Sequence, residues 1–510
     1  MTSRTSPGTA GPAEEGARQR GPRPDEVKTS AVLSNRPFLL LWLSQLATQV
    51  GGNMVMYGLT ISIAFAYKSS SAVSVLLVCF LVPAIIFSAI AGVFVDRADK
   101  RHILVITNII RGIAFLAIVL VGNNLLLIYV LMAFVATVTT FFAPAEASMI
   151  PLLVPKNQLV PANGLFTLTM NVAFVLGFAL LGPIVVALAN AQVLIVIVAA
   201  LYLIAAVFCW TLPPAPRAAV SATAGQTVAD AERAVSTMFS QFFEGIAYIR
   251  SNRNIGWSLS YLGFAGALVG ILGVVGPNFA TKTLALGDKD FALIVLPMGL
   301  GIMMGILVLN SYGRYLPRRR TIEAGMICVG ILLSVLAWAG PISRFLQDRA
   351  SSTGVEEASR VVSLLSLVMG LAFFIGAAYA IVAIAAQTQL QEELHEDVRG
   401  RVFGVLNMLV SIASLAPLII VGPVSDLVGR EPVIFAVGII VGLWGLASIF
   451  SSGSRASDNS ARAPSTPSGA PVDLLTVAIS PSDLGTEQPE PAAKARRIRR
   501  GRAVKDGEPL

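Results

Sequence analysis

The sequence predicts an all-α integral membrane protein in which twelve transmembrane helices form two blocks of six. Of its 510 residues, 55% are hydrophobic and only 13% are charged, and the mean hydropathy is +0.75. A soluble globular protein carries about 25% charged residues, so this composition is typical of a membrane protein. Twelve apolar runs are also long enough to cross the hydrocarbon core. They lie at roughly 38–66, 72–95, 103–121, 125–147, 164–189, 192–211, 256–280, 290–310, 321–340, 361–387, 402–425 and 432–450.

The distribution of basic residues predicts the orientation of these spans. With the N-terminus inside, the segments assigned to the cytoplasm contain 29 Lys and Arg residues and the external loops contain 7. Without the two tails the ratio is still 14 to 7. Because basic residues near helix ends favour the cytoplasmic side, both termini are predicted to be cytoplasmic in a multi-pass protein of the cell membrane. The first run is too long for a signal-peptide core, so no cleavage is expected.

The order of the runs predicts five regions. The six-helix halves cover residues 37–211 and 256–450 and are joined by a cytoplasmic linker, 212–255. The linker begins with a proline-rich stretch and ends in a predicted amphipathic helix that lies along the membrane surface. The alternative is a helix that only connects the two halves and binds no partner. The tails, 1–36 and 451–510, are low in apolar residues and are predicted to be disordered.

Several classes of chemistry are excluded by what the sequence lacks. The three cysteines lie in apolar runs and form no CxxC pair, and the two histidines lie in polar loops, so no metal site is expected. Neither a GxxxxGK[ST] phosphate loop nor a GxSxG nucleophile elbow is present. We therefore predict no catalytic residue, no cofactor and no enzyme activity. The net charge of +8 is concentrated in cytoplasmic segments, and no nucleic-acid partner is expected.

Two ionisable residues lie inside or near the predicted spans, where charge is costly and therefore a candidate for function. Arg111 lies eight residues into the third run, and Glu146 lies near the cytoplasmic end of the fourth. They are candidates for coupling transport to protons. A purely structural pairing of the two side chains, or contact of Arg111 with backbone carbonyls or the cytoplasmic surface, is the alternative.

A stripe of polar residues in the first run predicts a substrate cavity. Its members are four residues apart, so they lie near one face of a helix, where contact with lipid would be unfavourable. Hydrogen bonding between helices is the alternative explanation. One residue in span 5, one in span 7 and three in span 10 complete the candidate set; plain packing is the alternative for Asn171, Tyr261 and Tyr379. The candidate cavity residues are Gln45, Gln49, Asn53, Tyr57, Asn171, Tyr261, Phe373, Phe374 and Tyr379.

The loop between the second and third runs carries an ordered set of polar residues. Its members are Gly92, Asp96, Arg97, Lys100 and Arg101, which we call the gating loop. The glycine permits close helix approach, the carboxylate can meet a helix N-terminus, and the basic residues can bind carboxylates or lipid phosphates. Such a loop can hold two helix bundles together in one state and release them in another. A plain positive-inside loop is the alternative.

With its two sets of six spans and its long middle loop, the chain resembles the major facilitator superfamily, whose loop pattern is G-x-x-x-D-[RK]-x-G-[RK]-[RK]. The gating loop matches this pattern at every defined position except Asp99, where the family usually has glycine. A degraded copy of the same pattern near Gly313, after the eighth run, lacks the acid. Residues 144–165, 242–250 and 399–407 are similar to the macrolide-efflux and enterobactin-exporter group. The resemblance covers about 37–450.

Span 5 contains Gly177, Gly182 and Pro183, which are similar to the glycine–proline motif of the family's antiporters. The later glycines of that motif are absent, as are the span-4 Arg-x-x-x-Gly element and a span-1 carboxylate, which weakens the inference of proton-driven export. The resemblance implies a major-facilitator fold and alternating access around a cavity lined by spans 1, 4, 7 and 10.

The function implied is export of amphipathic, drug-like small molecules by a monomer in the lipid bilayer, in exchange for protons. The alternatives are export of a siderophore or natural product and movement of a lysophospholipid. A non-transporting sensor or scaffold that acts through the basic C-terminal tail is a further alternative from a different class.

Overall fold

The computed structural model describes residues 32–214, 253–287, 289–313, 317–352, 364–393 and 399–461, with isolated positions at 240, 243, 246, 247 and 250. In this part of the chain twelve helices are long and apolar enough to cross a membrane, which confirms the predicted number. They are α1 (Arg36–Tyr67), α2 (Ser70–Arg97), α3 (Lys100–Val121), α4 (Leu125–Leu153), α5 (Lys156–Leu188), α6 (Ala191–Trp210), α7 (Arg253–Thr283), α8 (Ala292–Tyr312), α9 (Arg318–Ala337), α10 (Leu364–Glu393), α11 (Arg399–Val428) and α12 (Arg430–Ala461). Most of both predicted tails and of the predicted linker helix lies outside the described residues.

Short polar side chains between the apolar runs define where the helices of the first half begin. An Asn, Ser or Asp precedes most of these helices and accepts a hydrogen bond from a backbone N–H of the first turn, at 2.9–3.5 Å. Such caps satisfy one of the N–H groups that have no partner within the helix. The capping residues are Asn35, Ser69, Asp99, Asn124 and Asn190.

The ninth run is divided differently from the prediction. It was predicted to continue to residue 340, but α9 ends at Ala337 and a separate helix follows at Ala339–Ser352. Pro341 lies at the start of this second helix. Because proline has no N–H to donate, its position in the first turn of a helix leaves no backbone hydrogen bond of that helix unmade.

The helices pack into a bundle in which each half has its own contacts. In the first half α1 and α3 pack on α6, and α2 packs on α4; in the second, α8 and α9 pack on α10, and α7 packs on α11. Contacts between the halves join α2 to α11, α1 to α7 and α5 to α8. Large apolar side chains such as Leu120 and Leu188 are more than 80% exposed on the outer surface, as expected for side chains in contact with lipid.

Glycines set the closest approach between α8 and α10. A Cβ at Gly376 would clash with the carbonyl oxygen of Met298, and a Cβ at Gly301 would clash with that of Phe373. The two backbones therefore touch at both points, and backbone cannot move aside as a side-chain tip can. Small residues permit this kind of close contact in membrane bundles.

Replacement of Gly376 by alanine is expected to lower the stability of the folded bundle by about 2 kcal/mol, because overpacked cores typically lose 1–3 kcal/mol. Gly370 is the matched control, since it lies in the same helix and a Cβ there meets no atom within 4 Å. Gly370→Ala should leave stability unchanged or raise it slightly, through the better helix propensity of alanine. Thermal unfolding of both variants in lipid nanodiscs measures the difference. Equal midpoints would contradict the close contact.

Candidate functional site

A cavity of about 100 Å³ lies where α1 and α5 of the first half face α7, α8 and α10 of the second. Its wall contains aliphatic side chains, glycines and six aromatic rings, and no Asp, Glu, Lys, Arg or His is present among the described residues that line it. The rings belong to Tyr57, Phe174, Phe178, Phe279, Phe291 and Tyr379. Cavities that are mainly apolar and aromatic with a few polar groups are typical of small-molecule sites.

Tyr57 connects the two halves at this cavity. Its ring meets that of Phe178 edge to face, with centroids 5.7 Å apart and planes at 88°. On the other side it stacks on Phe291, at 6.3 Å and 21°. Aromatic pairs in these geometries add stabilisation beyond their buried area. A movement of α1 against the second half therefore changes the shape of the cavity directly.

The other three members of the predicted polar stripe lie before Tyr57 in the first helix, and two of them donate hydrogen bonds to backbone carbonyls. Gln45 is buried and donates through Nε2 to the carbonyl of Phe166, at 3.5 Å. Asn53 donates to the carbonyl of Gln49, at 2.8 Å. In this structure these amides lie at helix contacts, so the predicted stripe includes one residue in the cavity wall, Tyr57. Contact of the other three stripe residues with substrate stays a prediction.

The single candidates on the later spans fall in different places. Tyr379 lines the cavity beside Tyr57. Tyr261 is buried and shares a hydrogen bond with Ser448, and it is not one of the described residues of the cavity wall. Phe374 is 59% exposed, and the carbonyl of Phe373 lies at the α8–α10 contact. The side chain of Asn171 lies outside the described part of the structure.

Arg111 is the largest fully buried side chain among the described residues. Its Nη2 donates to Asn108 Oδ1 at 2.6 Å, and its Nε donates to the carbonyl of Thr107 at 3.3 Å. The guanidinium carbon lies 4.3 Å from the ring centroid of Phe142 and 4.7 Å from that of Tyr202. Two aromatic faces and two acceptors thus stabilise a cation that would otherwise be costly to bury.

Glu146 is buried in the same half of the bundle, on α4, within electrostatic range of Arg111. The two side chains do not form a direct ion pair. Within the described chain, no group donates a hydrogen bond to its Oε1. An ionised carboxylate without donors is costly in an apolar interior. The same half of the bundle therefore contains a buried cation and a buried acid, one oxygen of which accepts no hydrogen bond from the described residues.

The gating loop lies at the ends of α2 and α3. Gly92, Asp96 and Arg97 lie in the last turns of α2, and Lys100 and Arg101 lie in the first turn of α3. Asp96 is exposed at the surface. Arg101 donates to the carbonyl of Trp210, the last residue of α6, and its guanidinium lies 5.4 Å from that indole ring. Cations are favourable at a helix C-terminus, so Arg101 joins α3 to α6 within the first half.

Asp99 caps α3 at the position where the family pattern has glycine. Its Oδ1 accepts from the backbone N–H of Arg101, and its Oδ2 lies 3.0 Å from Nδ1 of His102. Partial burial acts in the opposite sense, but the hydrogen bond and charge of His102 hold the pKa of Asp99 below its ordinary value. The departure from the pattern therefore supplies a helix cap, separate from Asp96.

The glycine–proline motif of α5 forms a π-helical turn at Val175–Leu181. The N–H of Gly182 bonds back to the carbonyl of Gly177, five residues earlier, because Pro183 cannot donate to the turn before it. A Cβ at Gly177 would lie 2.5 Å from the carbonyl oxygen of Val50. The motif therefore brings α5 close to α1 beside the cavity.

Two acids that the sequence did not single out have well-defined partners. Glu323 on α9 is buried and accepts from Arg319 Nε at 3.0 Å and from Ser448 Oγ at 2.6 Å. Asp426 at the end of α11 contacts the beginning of α2. The spacing of Arg319 and Glu323, four residues apart, could have indicated the first pair. No local pattern indicates the second, since its partners are more than 350 residues away.

Comparisons with known proteins agree with this architecture. A family model described as Major Facilitator Superfamily matches residues 41–417. The chain is 20% identical over 429 residues to the multidrug efflux pump Tap of Mycolicibacterium fortuitum, covering 81% of this chain and 95% of that protein. It is 23% identical over 347 residues to the putative bacilysin exporter BacE of Bacillus subtilis, covering 66% of this chain and 77% of that protein. The crystal structure of the nucleoside transporter NupG is similar with a TM-score of 0.58 and 16% identity, over 81% of this chain and 98% of that one.

Proposed function

The chain belongs to the Major Facilitator Superfamily of membrane transporters, and from this premise we propose that it exports amphipathic small molecules in exchange for protons. The observation that carries the proposal is the uncharged aromatic cavity between the two six-helix halves. The relatives named as a multidrug efflux pump and a bacilysin exporter support the outward direction. The protein acts as a monomer in the cell membrane, with both termini in the cytoplasm.

The composition of the cavity wall favours substrates that are neutral at the point of contact. A permanent cation would meet aromatic faces in this wall, but the described wall residues include no acid to neutralise its charge, which favours a neutral substrate. Aromatic rings, together with the hydroxyl groups of Tyr57, Thr60 and Tyr379, suit a flat apolar molecule with one or two polar groups. A lysophospholipid is less suited, because its phosphate would meet no basic residue in the wall. Export of a natural product is the second candidate, favoured by the relative named as a bacilysin exporter.

Alternating access requires that the two halves rock about this cavity, and the gating loop is proposed to control the cytoplasmic side. Asp96 is exposed at the predicted cytoplasmic end of α2, which packs against α11. In the opposite state its carboxylate would meet the N-terminus of α11, which begins at Arg399. The loop would then hold the cytoplasmic ends of the halves together.

Proton coupling is proposed to run through Glu146 and Arg111. An ionised Glu146 attracts the guanidinium, whereas a protonated Glu146 leaves it with Asn108 and the two aromatic rings. Because the two residues lie on packed neighbours, α3 and α4, the exchange of one proton changes the contact between these helices. That change is the proposed link between the proton gradient and the movement of the halves.

The proposal is tested by proton movement in everted membrane vesicles that contain the full chain. A pH-sensitive dye is followed while a neutral aromatic amphiphile, its permanently charged quaternary ammonium analogue, a catechol siderophore and a lysophospholipid are added one at a time. Proton release is expected with the neutral compound and at least about tenfold less with the quaternary analogue, as the cost of an unpaired buried charge exceeds 1.4 kcal/mol. Vesicles without the protein are the control. Release with the quaternary compound alone would contradict the proposed substrate class.

A further inference from the structure

Asp426, near the end of α11, accepts four hydrogen bonds from Ser69, the N-cap residue of α2, and from the first two residues of that helix. Its Oδ2 accepts from Ser69 Oγ at 2.8 Å, from the N–H of Ser71 at 2.9 Å and from Ser71 Oγ at 2.7 Å. Its Oδ1 accepts from the N–H of Ser70 at 2.8 Å. A carboxylate of the second half therefore caps a 28-residue helix of the first half.

Two physical effects make this contact strong. The first N–H groups of a helix have no partner within it, and the positive end of the helix dipole attracts an anion. Hydrogen bonds to a charged group are also about twice as strong as neutral ones. Both oxygens of Asp426 bond to groups at the same helix end, so the carboxylate is held in one orientation.

Polar groups from two further helices, α7 and α12, lie next to the cap. Asn278 on α7 donates through Nδ2 to Ser70 Oγ at 2.8 Å, and Arg430 donates through Nη1 to the carbonyl of Asn278 at 3.2 Å. Ser70 and Asn278 are each no more than 2% exposed. One turn before Asp426 in α11, a Cβ at Gly422 would clash with Ser74 Oγ, so α11 and α2 are in close contact there as well. The beginning of α2 and the ends of α7 and α11 thus converge.

This cluster lies directly beside the cavity. Asn278 stands between Pro277 and Phe279, both of which line the cavity wall. The topology prediction assigns the ends of the helices that meet here to the external side of the membrane. A separation of α2 from α11 at this point would therefore open the cavity to the outside.

We propose that Asp426 is the external gate residue of the transporter: its carboxylate holds the beginning of α2 against α11 and keeps the cavity closed on the external side. The inference rests on the proposed function, because it assumes that the halves alternate. Opening requires the four hydrogen bonds to be given up together, so removal of the charge shifts the population towards the externally open state. Asp426 acts on the position of a helix and is not assigned a contact with substrate.

Cysteine labelling tests the gate without any transport measurement. Gly273 lines the cavity, and a Cβ there meets no atom within 4 Å, so Gly273→Cys is a suitable reporter. Cys79, Cys209 and Cys328 are replaced by serine in the full chain. A membrane-impermeant maleimide is added to the outside of intact cells, and labelling after denaturation gives the total amount of protein.

Asp426→Asn is expected to raise the initial rate of external labelling about tenfold or more, because it removes a charged partner of several hydrogen bonds. Glu431→Gln is the matched control. Glu431 is also an acid at the external end of the second half, but it accepts from Thr283 within that half, at 2.6 Å. This variant should label at the rate of the parent protein.

Ser71→Ala is the milder variant if Asp426→Asn does not insert, since it removes one side-chain donor and keeps the backbone bond. It should raise labelling by a smaller factor. Unchanged labelling in the inserted variants, or an equal rise of labelling in Glu431→Gln, would contradict the proposed role of Asp426 as a gate residue. Because the maleimide reports on access alone, failure of the gate is distinguishable from failure of the proposed export.

Discussion

Replacement of Glu146 by glutamine is expected to abolish the dependence of export on the proton gradient. Glutamine keeps the size of the side chain and cannot exchange a proton, so the contact between α3 and α4 would no longer respond to pH. The rate of active export should fall to that of passive exchange, while substrate binding survives, because Glu146 lies outside the cavity wall. The measurement is export from preloaded vesicles at a series of external pH values, with binding measured separately on the purified protein.

Glu323→Gln is the matched control for this experiment. Glu323 is also a buried acid, but its carboxylate already has a guanidinium and a hydroxyl as partners. Its replacement should lower stability by about 1–3 kcal/mol through the loss of charged hydrogen bonds, and leave the pH profile of export unchanged. A normal pH profile in Glu146→Gln would rule out Glu146 as the coupling acid. A flat profile in Glu323→Gln would move the coupling site to the second half.

A second large loss of transport is expected when Asp96 is replaced. Asparagine has the same shape and no charge, so Asp96→Asn should leave insertion intact and reduce transport at least about tenfold, since a charged hydrogen bond at a helix end contributes roughly 1.5–3 kcal/mol. The state in which the cytoplasmic ends are held together would be lost. Transport in vesicles, normalised to the amount of inserted protein, measures the loss.

Asp99→Asn provides the control three residues later in the same loop. Asparagine is as good a helix cap as aspartate, so α3 should begin at the same residue and transport should continue. Because the folded pKa of Asp99 is lowered, its charge stabilises the fold at neutral pH, and this contribution is lost as the pH falls through that lowered value. Normal transport in Asp96→Asn, or equal loss in both variants, would contradict a specific role for Asp96.

The proposed gate residues are placed reciprocally on one antiparallel pair of helices. Asp426 lies at the end of α11 and caps the beginning of α2. Asp96 lies at the end of α2, at the same end of the bundle as the beginning of α11. In the state described here the contact between Asp426 and the beginning of α2 is formed, and Asp96 is exposed. Two acids on the same helix pair can thus stabilise opposite states of the transporter.

The number and approximate bounds of the twelve helices followed from the sequence because they depend on local properties. An apolar run of about 20 residues must be helical in lipid, and a polar stretch between two runs ends the helix, whereas single prolines such as Pro83 and Pro144 lie inside helices. The largest differences lie where the run alone is ambiguous, as at α5, which begins before the prediction, and at α12, which continues to Ala461. The break after Ala337 also escaped the prediction, since Trp338 and Ala339 are as apolar as the residues before them.

Part of the candidate site was predicted because it, too, depends on a local property of the sequence. Arg111 and Glu146 attract notice in the sequence because any charge in an apolar run is costly, and the structure places both in one half of the bundle. The sequence did not indicate that Arg111 lies between the rings of Phe142 and Tyr202. Those rings are on other helices, and aromatic residues in apolar runs are too common for their partners to be chosen by spacing.

Residues close together in the chain were therefore enough to predict the membrane-spanning class, the twelve helices and the match of one loop to the family pattern. The folded bundle was needed to identify the side chains of the cavity wall, the cap that Asp99 forms in place of a glycine, and the contact of Asp426 with the beginning of α2. Helix periodicity defines a face but not its neighbour. Contacts such as that between Asp426 and Ser70 depend on the packing of whole helices, and only the folded bundle brings their atoms within 3 Å.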